Sequence, residues 1–340
     1  VTIPAGPESL DAAWLERALR EGGVLRDARV RRLTAEIIGV GYGLDGTSAR
    51  LTIDGDGVPP TLVAKWSSRE DARREAGFYR GVAPRLDLRL ATLYASAIDD
   101  AAERGVLVLS DVAPARQGDT LVGTTEAESD ALADAMASFH AAFWDAPEDP
   151  ALASFPRWVD TRCPYDRIAE RLPKFVADWT GRVPTAALDV AMRLPESVPR
   201  AREALARAPA TLVHTDLHLD NVLFLEGGAP VVLDWTDARR GPAALDFARL
   251  LVEGMTTEAR RARRGRLTRR YHAALAARGV AYDFDRLRRD VTDGATVIYA
   301  AVVLWAAGPD ALGPDVPRVP LIVESVVRSS ADAAAESACG

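Results

Sequence analysis

The chain has 340 residues, 48% of them hydrophobic and 27% charged, which suffices for a substantial core spread over two lobes or domains. Its formal charge of -7 argues against broad attraction to nucleic acid or to an anionic membrane, both of which favour basic surfaces. Cys163 and Cys339 are too far apart to suggest a disulfide framework or metal cluster, no signal-like N-terminal run is present and no stretch reaches bilayer length, so a soluble cytoplasmic protein without nucleic-acid or membrane partners is expected.

Between residues 8 and 22, Leu10, Trp14, Leu15 and Leu19 recur at helical spacing, and Gly22 and Gly23 supply a stop. From about Arg31 to Asp111 come short β-rich runs, LTAEIIGV, TSARLTI, TLVAKW, ATLYASAI and GVLVLS, separated by Gly, Asp and Pro clusters. They predict an antiparallel meander of about five strands, with one helix, REDARREAGFYRGV, between the third and fourth. Beyond Asp111 the patterning turns helical, beginning with EAESDALADAMASFHAAFW, where Leu132, Met136, Phe139 and Phe143 share a face. A small β island follows, TLV, VLFL, a Gly227-Gly228 turn and VVLD, before helices resume with PAALDFARLLVEGM.

The island holds the most informative segment, TLVHTDLHLDNVLFLEGGAPVVLDWTD. His214, Asp216 and Asn221 form HxDxxxxN on a loop between two apolar runs, and Asp234 ends the next strand thirteen residues on. Phosphoryl transfer uses such groups: a carboxylate to accept a hydroxyl proton, and oxygen ligands for magnesium. Asp and Asn also initiate turns beside strands, but a single turn does not require four polar residues in this order and spacing.

On this segment the chain resembles the aminoglycoside phosphotransferase and choline kinase-like superfamily of small-molecule kinases, relatives of protein kinases. The resemblance implies an α+β, bilobal, protein-kinase-like fold. Residues 1–111 would form a small antiparallel β lobe with one key helix, and residues 112–340 a larger, mainly helical lobe. It implies Asp216 as catalytic base, His214 as a brace for its loop, and Asn221 and Asp234 as magnesium ligands. Asp246, in the first turns of the next helix, would be scaffold, a place that also suits the helix dipole. Trp235 and Thr236 stand where protein kinases have Phe and Gly, which looks like the choline kinase-like branch and speaks against an activation segment. His218 and Asp220 shape the loop or meet substrate, and Asp237 is a further candidate beside the metal.

Upstream, Gly39, Gly41, Gly43 and Gly46 fall between two β runs, where glycine lets a hairpin backbone approach phosphates; Gly41 and Gly43 are the nucleotide-covering candidates. Lys65 lies among apolar neighbours on the third strand, where a buried charge needs a partner or ligand. It resembles the kinase lysine that grips the α and β phosphates. By the same resemblance Glu75 is its ion-pair partner, with Glu70 as fallback, and Ser110, Asp111 and Val112 form the hinge whose backbone meets the nucleotide base.

The expected activity is ATP- and magnesium-dependent transfer of phosphate to a hydroxyl of a small molecule, with GTP as an alternative donor, by a monomer or homodimer. Polycationic aminoglycosides call for acidic surface, whereas residues 260–270 hold seven arginines and no acid, with Arg286, Arg288 and Arg289 following. Such a run is either a solvated helix face or, facing a cleft, suited to a neutral or anionic acceptor. Trp158, Tyr165, Trp179, Tyr299 and Trp305 are core or a wall on which a ring can stack. The expectation is an antibiotic-inactivating kinase for a hydroxylated natural product; alternatives are a metabolic kinase for choline, a sugar or an amino alcohol, and a nucleotide-binding pseudokinase.

Overall fold

The computed structural model of the chain describes residues 3–39, 46–146, 148–160, 164–308 and 318–335. They group into two compact units, Val1–Ala115 with Val231–Asp237, and Arg116–Pro230 with Ala238–Gly340. The first carries the antiparallel sheet and the second is mainly helical, giving the α+β bilobal class that the resemblance implies.

In the first unit, helix α1 (Ala12–Glu21) starts where the Asp11 carboxylate accepts the Trp14 N–H at 2.7 Å, an N-cap that satisfies one of the unpaired first-turn donors. Strands β1 (Arg29–Ile38), β2 (Thr47–Asp56) and β3 (Thr61–Ser68) follow, then α2 (Arg69–Gly77), which runs on into a π turn over Phe78–Val82. Strands β4 (Leu93–Asp99) and β5 (Arg104–Ser110) complete an antiparallel sheet. Its order is β1-β2-β3-β5-β4, which corrects the simple meander. The α2 crossover carries the chain past the position beside β3, and a tight turn, in which Asp99 Oδ1 accepts the N–H groups of Ala101 and Ala102, returns β5 into it.

Two-residue alternation sends Ala49, Leu51, Leu62, Ala64 and Trp66 into one core with Trp14, Leu15 and Leu19 of α1. The opposite face is covered by α2. Gly105 makes that packing possible, because a Cβ there would come within 2.3 Å of the Ala72 Cβ. Covered on both sides, β5 is buried from Gly105 to Leu109, as a central strand should be.

In the second unit, strand β6 (Arg116–Gln117) precedes α3 (Glu126–Ala142), whose N-terminus is closed by a reciprocal capping box between Thr125 and Glu128. Helices α4 (Ile168–Trp179), α5 (Thr185–Met192) and α6 (Leu194–Ala206) lead to β7 (Ala210–Val213), β8 (Val222–Phe224), a left-handed turn at Gly227 and Gly228, and β9 (Pro230–Val232). Strand β10 (Arg239–Pro242) and helices α7 (Ala244–Glu253), α8 (Thr257–Ala276), α9 (Phe284–Ala306) and α10 (Arg318–Ala335) finish the chain. β7 pairs antiparallel with β10, and β6 with β8. The sequence gives β10 no strand signature: RRGP lacks β-branched residues, and only the partner strand makes it extended. Among the described residues no helix is long and apolar enough to cross a membrane.

Candidate active site

In the first unit, parity along β3 turns Lys65 away from the α1 core and toward α2. Its ammonium lies 2.8 Å from Glu75 Oε2 and 2.7 Å from Asp234 Oδ1. Burial alone would lower the lysine pKa, but the two carboxylates outweigh it and push it up to about 12, so the side chain stays charged. Burial raises the Glu75 pKa above the usual carboxylate value, and Lys65 holds that rise back. Glu70, the fallback partner, instead lies 3.8 Å from Arg69.

Asp234 has φ +59, a left-handed conformation that costs a non-glycine residue on the order of 1–3 kcal/mol and persists only where its surroundings hold it. The surroundings here are specific. Thr236 Oγ1 donates to Asp234 Oδ1 at 2.6 Å, and Arg74 Nη1 donates to the Thr236 carbonyl at 2.6 Å. The Trp235 ring stacks on Phe78 with centroids 4.0 Å apart and planes 9° from parallel, both side chains fully buried. Thus the helix that supplies Glu75 also grips the turn that supplies Asp234. Tyr79, one turn beyond Glu75, is buried with no hydrogen-bond partner for its hydroxyl among the described residues, and burial with the nearby Glu75 and Asp234 charges raises its pKa well above normal.

Of the glycines, Gly41 and Gly43 lie outside the described residues. Gly39 and Gly46 flank them with φ +73 and +90, and a Cβ at Gly46 would sit 2.6 Å from the Trp66 carbonyl oxygen, so this turn end admits only glycine. At the end of β5, Ser110 exchanges two hydrogen bonds with Thr92: its N–H donates to the Thr92 carbonyl at 2.8 Å and its Oγ accepts the Thr92 N–H at 2.9 Å. Asp111 is gripped by Arg50 of β2 through Nε at 2.8 Å and Nη2 at 3.3 Å, and half-buried Val112 follows outside the sheet.

In the second unit, the HxDxxxxN segment bridges β7 and β8. The buried Asp246, near the start of α7, accepts the backbone N–H groups of His214 (2.6 Å) and Thr215 (2.8 Å), and its Oδ2 lies 3.2 Å from His140 Nε2. These donors hold its pKa below the usual range although burial works the other way. With Nε2–H given to Asp246, His140 Nδ1 accepts the Tyr271 hydroxyl at 2.7 Å, an assignment that follows from the network. His214, fully buried, accepts the Asp216 N–H on Nδ1 at 3.3 Å, and Thr215 between them has φ +64.

The Asp216 carboxylate stays 41% exposed. Burial of its surroundings would raise its pKa, but His218, Arg249 and His214 hold it well below the carboxylate range. His218 Nε2 lies 3.5 Å from Asp216 Oδ2, and that contact raises the imidazole pKa against the effect of burial. Asn221 donates through Nδ2 to the Asp216 carbonyl at 3.0 Å and lies 3.1 Å from His218 Nε2. Asp220 turns away from the carboxylate: it accepts the Thr120 N–H at 3.3 Å, while Gln117 Nε2 donates to its carbonyl at 2.9 Å, so it anchors the 117–120 segment.

Sequence reasoning missed Arg249, Glu253, Arg74 and Phe78. For Arg249 and Glu253 a signal exists: Asp246, Arg249 and Glu253 fall at helical spacing inside the otherwise apolar ALDFARLLVE, and a charge in such a stretch needs a partner. The basic run of α8 is a structural seam. Arg266 pairs with Asp130 (2.7 Å) and Glu126 (3.1 Å), Arg270 with Asp130 (3.2 Å) and Asp134 (2.6 Å), and Arg260 and Arg261 both hold Asp332 of α10. Two members of the aromatic wall are core: Trp179 donates to the Ala306 carbonyl and Tyr299 to that of Ala187, both rings buried. Trp158 and Tyr165 sandwich the Arg202 guanidinium at 4.8 and 4.9 Å.

Asp234 in the first unit and Asn221 in the second each carry hard oxygen atoms of the kind magnesium takes. The Asn221 amide nitrogen is committed to Asp216, which leaves Oδ1 as the atom to meet a metal. Among the described residues no group of three or more His, Cys, Asp or Glu is placed to hold an ion; magnesium in nucleotide sites needs only one or two protein ligands beside substrate phosphates.

A family model described as the phosphotransferase enzyme family, APH, matches residues 39–288. Among solved structures, the GDP complex of aminoglycoside 2'-phosphotransferase-IIIa is similar at 16% identity and TM-score 0.58, covering 93% of this chain and 98% of that one. A microcompartment-associated aminopropanol kinase has 14% identity and TM-score 0.58, covering 96% and 97%. Spectinomycin phosphotransferase APH(9)-Ia, in complex with ADP and spectinomycin, has 12% identity and TM-score 0.56, covering 94% and 98%. At these identities the likeness establishes the fold. No curated protein matches the chain significantly by sequence.

Proposed function

We propose that this chain, which belongs to the phosphotransferase enzyme family, transfers the terminal phosphate of a nucleoside triphosphate to a hydroxyl of a small hydroxylated natural product, and so inactivates an antibiotic. The observation that carries the reading is the Lys65 ammonium held between Glu75 and Asp234, which pairs a phosphate-gripping cation with a metal-binding carboxylate. Nucleotide complexes of structures with the same fold support the donor: ATP first, with GTP as the alternative. The cytoplasm, which supplies that donor, is the proposed location.

In this reading Asp216 takes the proton of the acceptor hydroxyl while the acceptor oxygen bonds to the terminal phosphorus and the bond to the leaving diphosphate breaks. His214 and Asp246 fix the loop that presents Asp216. Lys65 holds phosphate oxygens, and Glu75 keeps Lys65 in place. Asn221 and Asp234 hold magnesium, which when bound spreads the charge of the transferring phosphate. The backbone at Ser110, Asp111 and Val112 receives the nucleotide base, and Gly41 and Gly43 cover the phosphates. Most of the acceleration comes from positioning and fixed charge. The Arg249 guanidinium at 3.4 Å and the His218 ring at 3.5 Å from Asp216 supply cationic character beside the base, which favours a neutral or anionic acceptor over a polycation.

The test is incubation with magnesium and ATP or GTP against pooled hydroxylated antibiotics, aminoglycosides, spectinomycin, choline and amino alcohols, with mass spectrometry for a gain of one phosphoryl group. Asp216→Asn should lower the rate on the order of 10²–10⁴-fold. A near-wild-type rate in that variant would remove Asp216 from the mechanism. Phosphorylation confined to choline or amino alcohols would replace the antibiotic reading with a metabolic one.

A further inference from the structure

Arg249 is the one basic residue of the largely apolar helix α7. It lies on α7 one turn after Asp246, with its side chain 18% exposed. A guanidinium so placed needs anions on its donors to offset lost hydration, and Arg249 has two on the same nitrogen. Nη1 lies 2.9 Å from Glu253 Oε2, one turn further along α7, and 3.4 Å from Asp216 Oδ1. Glu253 is 8% exposed in its side chain and has no other hydrogen bond or ion pair among the described residues. Its carboxylate therefore serves to fix Arg249.

The other Asp216 oxygen, Oδ2, has His218 Nε2 and Asn221 Nδ2, both at 3.5 Å; these contacts and the 3.4 Å contact of Arg249 are all long for hydrogen bonds, but Arg249 is the partner whose charge does not depend on pH. Helix α7 thus grips the loop twice. Asp246 binds its backbone at His214 and Thr215, and Arg249 reaches the Asp216 carboxylate itself. A carboxylate that is 41% exposed can rotate about its side-chain torsions unless something holds one oxygen.

We propose that Arg249 is a positioning residue for Asp216: it holds Oδ1 and so presents Oδ2 to the acceptor proton, with Glu253 anchoring the guanidinium. The inference rests on the reading of Asp216 as base. Arg249 touches neither acceptor nor nucleotide in this role, and with an uncharged acceptor its effect on rate passes through Asp216.

That dependence makes the proposal testable by a double-mutant cycle on the full chain. The probe is phosphate release from magnesium ATP or magnesium GTP, whichever turns over faster, with water as acceptor: the water oxygen bonds to the terminal phosphorus, the bond to the diphosphate breaks and Asp216 takes a water proton. Arg249→Met should lower kcat on the order of 10-fold, with KM for the nucleotide within about twofold of wild type, because misorientation of the base affects the chemical step and not nucleotide binding. Arg249→Lys should recover part of the loss by restoring the charge without the fork. In an Asp216→Asn background, Arg249→Met should cause no further loss. Where Arg249→Met melts too low to assay, Arg249→Lys and Glu253→Gln run the same cycle, Glu253→Gln keeping the shape and an acceptor oxygen.

Equal fold-losses with and without the Asp216 carboxylate would make Arg249 a structural ion pair and overturn the proposal, as would an unchanged kcat in Arg249→Met. The underlying reading fails separately: Asp216→Asn at near-wild-type kcat removes the base itself, whatever Arg249→Met does.

Discussion

At the residue scale, Asp246 shows how much of this structure depends on one buried carboxylate. It is fully buried, and its two oxygens receive two backbone N–H groups and one imidazole N–H. Asp246→Asn would turn an amide N–H₂ toward those donors, so it should lose stability by about 3 kcal/mol, the size expected for charge-assisted bonds lost together with donors left unpaired. The pH dependence follows from the lowered pKa. A carboxyl that ionises more readily folded than unfolded contributes its full stability above the unfolded value, about 4, and gives it up as pH falls through the folded value. The gap in unfolding free energy between wild type and Asp246→Asn should therefore be constant near neutrality and close on acidification below that value, as urea melts at stepped pH would record. A gap that widens in acid would reverse the assigned direction.

At the element scale, the seam between α3 and α8 matches one helical spacing with another: acids at 126, 130 and 134 face arginines at 266 and 270. The arginines are about 40% exposed, so each pair contributes little, about 0.2–1 kcal/mol, and salt weakens it. Arg266→Ala with Arg270→Ala should lower the melting temperature slightly at low salt, less at high salt, and leave acceptor preference unchanged. A change in acceptor preference would return the basic run to the binding site. Both spacings are visible in the sequence, but which helix faces which is not, and that is why the run reads equally well as a solvated face. The same limit explains β10 and the sheet order, since pairings between distant segments leave no local trace. What is local was legible: the β-rich runs, the glycine stop after the first helix, the helical stripes and the HxDxxxxN loop. Lys65 could be singled out because a charge amid apolar neighbours signals need, and the same reasoning applied to ALDFARLLVE would have found Arg249.

At the scale of the whole molecule, the first unit is completed by Val231–Asp237, a segment that arrives more than a hundred residues after Ser110. Only then does Phe78 meet Trp235, and Lys65 its second carboxylate. A chain that ends at residue 115 should therefore expose the Phe78 ring and leave Arg74 without its carbonyl. It should be less cooperative in thermal unfolding and more prone to aggregate than the full protein, as calorimetry and light scattering would show. A sharp, reversible transition in that fragment would contradict this.

The late return of the Asp234 turn has a meaning for biosynthesis. While the ribosome is still translating the helical half, the nascent sheet has no Trp235 to cap it, and its lysine has only one counterion. Chain elongation proceeds at about 5–20 residues per second, so this half-built lobe lasts for seconds, and a chaperone that shields the Phe78 ring would act in that interval.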